Sequence, residues 1–253
     1  MDLKGNTILI TGGGSGIGRG LAEAFHKLGN QVIISGRRQK VLDEVTAANP
    51  GMKSLPLDIE DAAGVKAFAA KVIADVPKLN AVIHNAGIAR MENLKEQKDV
   101  GDAEAMVATN VLGPIRLNSA LLPHLLKQPK ATVMTVSSGL AFVPLAAGPT
   151  YSATKAFLHS YTESLRHQLK GTTVQVIELP PPYVQTELGG PRQATDPRAV
   201  PLAVFIAGVM DILAKQPEAT EVVVKECEAF RNAVQGAGYD QAFQAVNSMF
   251  DAH

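Results

Sequence analysis

A chain of 253 residues with 46% hydrophobic and 19% charged side chains can bury a sizeable core, which excludes a disordered polymer. Its 24 basic and 24 acidic residues cancel, so no global positive field favours nucleic acid or an anionic membrane. Cys227 is the only cysteine, which excludes an internal disulfide and cysteine-cluster zinc sites.

Short runs rich in Val, Ile and Leu at 7–11, 31–35, 53–57, 81–84, 132–136, 173–179 and 222–224 read as strands buried on both faces of a parallel sheet. Helical patterns lie between them. Residues 18–28 place Leu21, Ala22, Phe25 and Leu28 on one face, and Gly29-Asn30 stops the pattern. Patterns at 38–48, 61–75, 104–126, 151–169 and 201–214 follow, with a break or kink predicted at Gly113-Pro114. This alternation predicts a single α/β domain over 1–253: a doubly wound, Rossmann-like parallel sheet of about seven strands flanked by helices. Gly189, Gly190, Pro191 and Pro197 leave 188–200 with little periodicity, which predicts a mobile substrate loop.

Between the first strand and the first helix stands Thr11-Gly12-Gly13-Gly14-Ser15-Gly16-Ile17-Gly18. Glycines there let the backbone turn tightly and approach a pyrophosphate, while the helix N-terminus offers free N–H groups and the positive end of its dipole. The spacing is T-G-x-x-x-G-x-G rather than G-x-G-x-x-G. After the second strand, where an acid would bond the ribose 2′-hydroxyl of NAD, the chain has Arg37-Arg38, and the next acid is Asp43. Two guanidiniums favour a 2′-phosphate, so NADP(H) is predicted over NAD(H).

Tyr151 and Lys155, four apart, share one face of a helix, and Ser138 closes the fifth strand. Ligands of open α/β sheets bind beyond the carboxyl ends of the strands, so the three side chains can converge beside a cofactor. The set suits carbonyl reduction. Hydride attack on C=O builds negative charge on oxygen, a phenol can deliver the proton, a neighbouring ammonium favours the phenolate, and a serine hydroxyl can orient the carbonyl.

With these residues in place the chain resembles the short-chain dehydrogenase/reductase superfamily over nearly its whole length. The match runs through Thr11-Gly12, Gly16, Gly18, Asp58, Asn85-Ala86-Gly87, Asn110, Ser138, Tyr151, Lys155 and Thr186. The resemblance implies that Asp58 bonds the adenine edge with Ile59 packed beside it. It implies that Asn85-Ala86-Gly87 lines the cofactor, that Asn110 holds a relay water for Lys155, and that Thr186 bonds the nicotinamide carboxamide. Where the family often has Pro-Gly-x-Val-x-Thr, this chain reads Pro181-Pro182-Tyr183-Val184-Gln185-Thr186, a form similar to the DltE-like branch. The second proline stiffens the loop that Pro181 and Val184 would place beside the cofactor.

The expected reaction is NADPH-dependent, reversible reduction of a ketone or aldehyde to an alcohol, with hydride from nicotinamide C4 and the proton from Tyr151. The alternative is a binding protein that senses NADP(H) without turnover. Leu140, Phe142, Val143, Leu145, Tyr183 and Leu188 are the pocket candidates, and their apolarity points to a small hydrophobic carbonyl compound. The six histidines do not cluster, so no catalytic metal is expected. The family usually forms homodimers or homotetramers, for which 104–126 and 151–169 could supply the face. The stretch bearing Phe230, Tyr239, Phe243, Val246, Met249 and Phe250 could cover the pocket or join an interface. The run from Met1 to Asn6 has no secretory leader pattern and the lone cysteine suits a reducing compartment, so a cytoplasmic location is expected.

Overall fold

The computed structural model describes residues 1–96, 99–233 and 238–248. Six strands, β1 (Thr7–Thr11), β2 (Gln31–Gly36), β3 (Lys53–Pro56), β4 (Ala81–His84), β5 (Ala131–Val136) and β6 (Val174–Leu179), form one parallel sheet in the order β3-β2-β1-β4-β5-β6. The helices are α1 (Gly16–Lys27), α2 (Gln39–Ala48), α3 (Ala62–Asp75), α4 (Gly101–Val107), α5 (Gly113–Leu125), α6 (Pro149–Gln168), α7 (Leu202–Lys215), α8 (Lys225–Ala233) and α9 (Tyr239–Ser248). None of the described helices is long and apolar enough to cross a membrane.

Strand alternation sorts the core into two layers. Ile8 and Ile10 join Ile34, Ile83 and Met134 on the face where α1 contributes Leu21 and Phe25 and α7 contributes Phe205 and Val209. Leu9 joins Ile33, Val82, Val133 and Val176 on the other face, against Phe68 of α3, Leu117 and Leu121 of α5 and Leu165 of α6. Burial of each such side chain contributes roughly 1.5–3 kcal/mol. Since β1 pairs with β2 on one side and β4 on the other, successive crossovers diverge there, and a crevice opens beyond the carboxyl ends of β1 and β4.

The fold class agrees with the sequence reading, and three details differ. The expected seventh strand at 222–224 is one bridge, Glu178 to Glu221, before the chain enters α8 at Lys225. Val222 N–H donates to Glu178 O at 2.8 Å, yet Val222 and Val224 serve as buried core rather than as a ladder. The expected helix 104–126 is α4, a wide π turn over Ala108–Leu112, and α5. Pro114 sits in the first turn of α5, where its missing N–H is no loss, so the distortion falls before Gly113. Helix α6 begins two residues earlier than predicted because Pro149 also suits a first turn.

Segment 188–200 carries a short 3₁₀ turn, Pro191–Thr195. Gln193 Nε2–H donates to Val184 O at 2.8 Å and to Thr186 Oγ1 at 3.2 Å, and Val200 N–H donates to Tyr183 O at 2.8 Å. Tyr239, Phe243 and Val246 fall on α9, and Met249 and Phe250 lie outside the described residues.

Candidate active site

The crevice is a cleft of about 500 Å³. Its wall contains Thr11, Gly12, Gly14, Ser15, Gly16 and Ile17, then Arg37 and Arg38, Ile59, Asn85-Ala86-Gly87, Ser138, Tyr151, Lys155, Pro181, Val184, Thr186 and Leu188. Sequence positions as far apart as 11 and 188 therefore face one space.

Close packing explains the glycine spacing. Gly12 has φ +66°, and a Cβ there would meet Asn85 Nδ2 at 2.9 Å. A Cβ at Gly18 would meet Asn85 Nδ2 at 2.3 Å and Gly12 O at 2.4 Å, so Gly18 lies behind the wall and lets α1 close onto the turn. Asn85 Nδ2–H donates to Thr11 O at 2.9 Å, and the Thr11 hydroxyl accepts the N–H groups of Asn85 and Ala86 at 3.0 Å each. Thus the first glycine turn and the Asn85-Ala86-Gly87 turn are one hydrogen-bonded unit. Helix α1 opens at Ser15 with no side-chain cap and no acid in its first turn, which leaves its N–H groups and dipole available to an anion.

Ser138, in extended backbone two residues past β5, accepts Leu140 N–H at 3.1 Å and shares a hydrogen bond with the Tyr151 hydroxyl. Burial pushes the Tyr151 phenol up to about 12, and the Ser138 bond opposes that rise. Lys155, one turn on, is buried. Its Nζ donates to Val136 O at 2.8 Å and lies 5.7 Å from the Tyr151 ring centroid. Burial brings its pKa down to about 8. Asn110 sits in the π turn. Its Oδ1 accepts Ile88 N–H at 2.9 Å, while its Nδ2–H donates to Ile88 O at 2.9 Å and Thr154 Oγ1 at 3.1 Å. A Cβ on Gly87 would stand 3.2 Å from Asn110 Oδ1 and 3.6 Å from Lys155 Nζ, so both polar groups flank Gly87.

Several expected residues are placed differently. Asp58 is exposed and off the cleft wall, its carboxylate accepting Glu60 N–H at 3.0 Å, whereas Ile59 is buried on the wall. Of the six pocket candidates only Leu188 lines the cleft. Phe142, Val143 and Leu145 are buried in a small core with Ala233, with Leu140 packed against it, because the 3₁₀ turn Gly139–Ala141 directs the chain beneath α8. The Tyr183 hydroxyl donates to Asp196 Oδ2 at 3.2 Å instead. The wall near Gly87 and Thr186 is mixed, with Ile88 and Leu188 beside Arg90, Glu187 and Gln193.

The sequence reading missed Glu60. Its Oε1 accepts the Thr109 hydroxyl at 2.7 Å and stands 3.4 Å from Arg37 Nη1, so a carboxylate faces the Arg37-Arg38 corner after all. Twenty-three positions separate Arg37 and Glu60, and no local pattern connects them.

A family profile described as short chain dehydrogenase matches residues 6–197. An uncharacterized oxidoreductase, DltE of Bacillus subtilis (strain 168), is 37% identical over 98% of this chain and 99% of its own length. An NADP-dependent 3-hydroxy acid dehydrogenase, YdfG of Shigella flexneri, is 31% identical over 70% of this chain and 72% of its own. The structure of a short chain dehydrogenase from Burkholderia cenocepacia J2315 in complex with NADP superposes with a TM-score of 0.82, at 26% identity, covering 97% of this chain and 98% of that one. The chain belongs to the short chain dehydrogenase family of oxidoreductases, and its similarity to DltE runs from end to end.

Proposed function

We propose that the protein reduces a small ketone or aldehyde to an alcohol, reversibly, with NADP(H) as the preferred cofactor. The observation that carries this reading is the convergence of Ser138, Tyr151 and Lys155 on the same cleft as the glycine turn. A nicotinamide dinucleotide, when bound, supplies or takes up the hydride. The residues that would hold it fit it. The N–H groups of the turn from Gly12 to Ile17 and the uncapped start of α1 suit a diphosphate, and Arg37 and Arg38 suit a 2′-phosphate. Ile59 and Asn85-Ala86-Gly87 wall the cleft, and Pro181, Val184 and Thr186 bound it from the loop after β6. The NADP named for the Shigella relative and the Burkholderia structure supports the same cofactor.

Tyr151 keeps its proton at neutral pH and gives it to the carbonyl oxygen as negative charge builds there. Ser138 orients that oxygen through a second hydroxyl, and the Lys155 ammonium favours the phenolate left behind. Asn110, joined to Ile88 and Thr154 and set beside Lys155, holds the relay water through which the proton is replaced. The substrate has an apolar part that meets Ile88 and Leu188. Val107, Leu112 and Phe157, exposed on α4, the π turn and α6, support a homodimer or homotetramer with a second copy covering them, and the lone buried Cys227 suits the cytoplasm.

The test is NADPH consumption against aliphatic and aryl ketones, run with Tyr151→Phe. The variant is expected to lose at least ~100-fold in kcat while binding NADPH within about threefold of wild type. Equal turnover by both proteins would remove Tyr151 as the proton donor. NADPH binding without turnover on any carbonyl would favour a sensor of the cofactor.

A further inference from the structure

The end of β5 and one face of α6 meet through three successive residues. Ser138 bonds Tyr151, and Val136 O accepts Lys155. Between them, the Ser137 hydroxyl donates to Glu178 Oε1 at 2.5 Å, and Glu178 Oε2 accepts from His159 Nδ1 at 2.8 Å. Tyr151, Lys155 and His159 stand at intervals of four on α6, so all three links end on one helical face.

Glu178 is fully buried and Ser137 is 2% exposed. Along β6 the side facing α6 carries Val174, Val176 and then Glu178, so the apolar pattern breaks just where the strand passes Ser137. A buried polar pair of this kind is a weak source of stability, and well-packed apolar residues in place of both partners often serve as well. Stability therefore gives no reason for a carboxylate here. Geometry does: a carboxylate held from α6 by His159 fixes the hydroxyl of the residue preceding Ser138. Main-chain bonds complete the clamp, with Ser137 N–H donating to Leu179 O at 3.0 Å and Gly139 N–H donating to Pro181 O at 2.8 Å. Around the pair stand Glu163 of α6, Glu221 before α8, and Cys227 and Arg231 of α8.

We propose that His159, Glu178 and Ser137 form a positioning network that holds Ser138 in register with Tyr151 and Lys155. The kinetic part rests on the carbonyl-reductase reading above. None of the three needs to touch substrate. Each acts through Ser138, and small misplacements of reacting groups lower rates by up to about 100-fold.

The test replaces Glu178→Leu, Ser137→Ala, His159→Leu and His159→Asn in the full chain. Unfolding midpoint, NADPH affinity, kcat per NADPH-binding site, KM and backbone amide exchange over 137–141 are measured. Glu178→Leu and Ser137→Ala are expected to lower kcat at least ~10-fold, with KM and NADPH affinity within about threefold, and to speed exchange over 137–141. His159→Asn, whose amide can still donate to Glu178, should restore kcat to within about threefold of wild type, whereas His159→Leu should not. Wild-type kcat and exchange in Ser137→Ala, which removes a single oxygen, overturn the network even if Glu178→Leu fails to fold. Faster exchange in Ser137→Ala beside a wild type that reduces no carbonyl sustains the network and overturns only the reaction assigned to it.

Discussion

Replacing Thr11 with valine exchanges one hydroxyl for a methyl group of nearly equal size at the end of β1. Thr11 is 1% exposed, so the change opens no cavity and its effect comes from hydrogen bonding. The lost oxygen is the acceptor for the N–H groups of Asn85 and Ala86, each at 3.0 Å. A buried donor left without a partner costs about 1–3 kcal/mol. Two donors sharing one acceptor form weaker bonds than two separate pairs, which places the expected loss near the low end of the sum, at roughly 2–3 kcal/mol. Because the same bonds hold Asn85-Ala86-Gly87 on the cleft wall, NADPH affinity should fall along with stability. Urea titration followed by circular dichroism measures the first, expected as a lower midpoint at unchanged slope. Quenching of NADPH fluorescence measures the second. A stability loss below about 0.5 kcal/mol with NADPH affinity intact would refute the claim that Thr11 joins the two turns.

Glu60→Gln keeps an acceptor for Thr109 and removes the negative charge 3.4 Å from Arg37. Fluorescence titration should show NADPH binding tightened by about 2- to 5-fold with NADH changed far less, and unchanged NADPH affinity would count against Arg37 as a phosphate ligand. His84 is 2% exposed, and burial holds it at about 4. Its Nε2 meets Asn118 Oδ1 at 3.3 Å, and among the described residues its Nδ1 has no partner to receive a second proton. The unfolded chain therefore takes up this proton first: the contribution is complete above the unfolded pKa of about 6.5 and is lost as pH falls toward 4, by roughly 2 kcal/mol at pH 5. Urea stabilities of wild type and His84→Gln should converge by that amount between pH 7.5 and 5, and a constant difference would contradict the assignment.

Much of this molecule is legible in local pattern. Strands buried on both faces must be continuously apolar, so β1, β2, β4, β5 and β6 stand out as largely apolar runs, whereas the edge strand β3, Lys-Ser-Leu-Pro, has no buried residue and a weaker pattern. The glycine turn and the Tyr151–Lys155 spacing are equally plain, since each satisfies a backbone or helical constraint within a few residues. Where the local signal has two meanings, the reading diverges from the structure. Val222 and Val224 are apolar enough for a strand but form core beside a single bridge, because Lys225 already begins α8. Phe142, Val143 and Leu145 follow the site serine and are apolar, which suits a pocket or a core equally, and the turn after Ser138 sends them to the core.

The sequence by itself determined the fold class, the glycine turn and the order of Ser138, Tyr151 and Lys155, because each depends on periodicity or spacing along one stretch of chain. Only the tertiary structure decided which distant groups meet: Glu60 with Arg37, Thr11 with Asn85 and Ala86, and Glu178 with Ser137 and His159. Those pairs join separate strands, loops and helices, and their encounters follow from strand order and register. Hydrogen bonds and charges act over a few ångströms of space whatever their separation in the chain, so their partners emerge once the sheet is assembled.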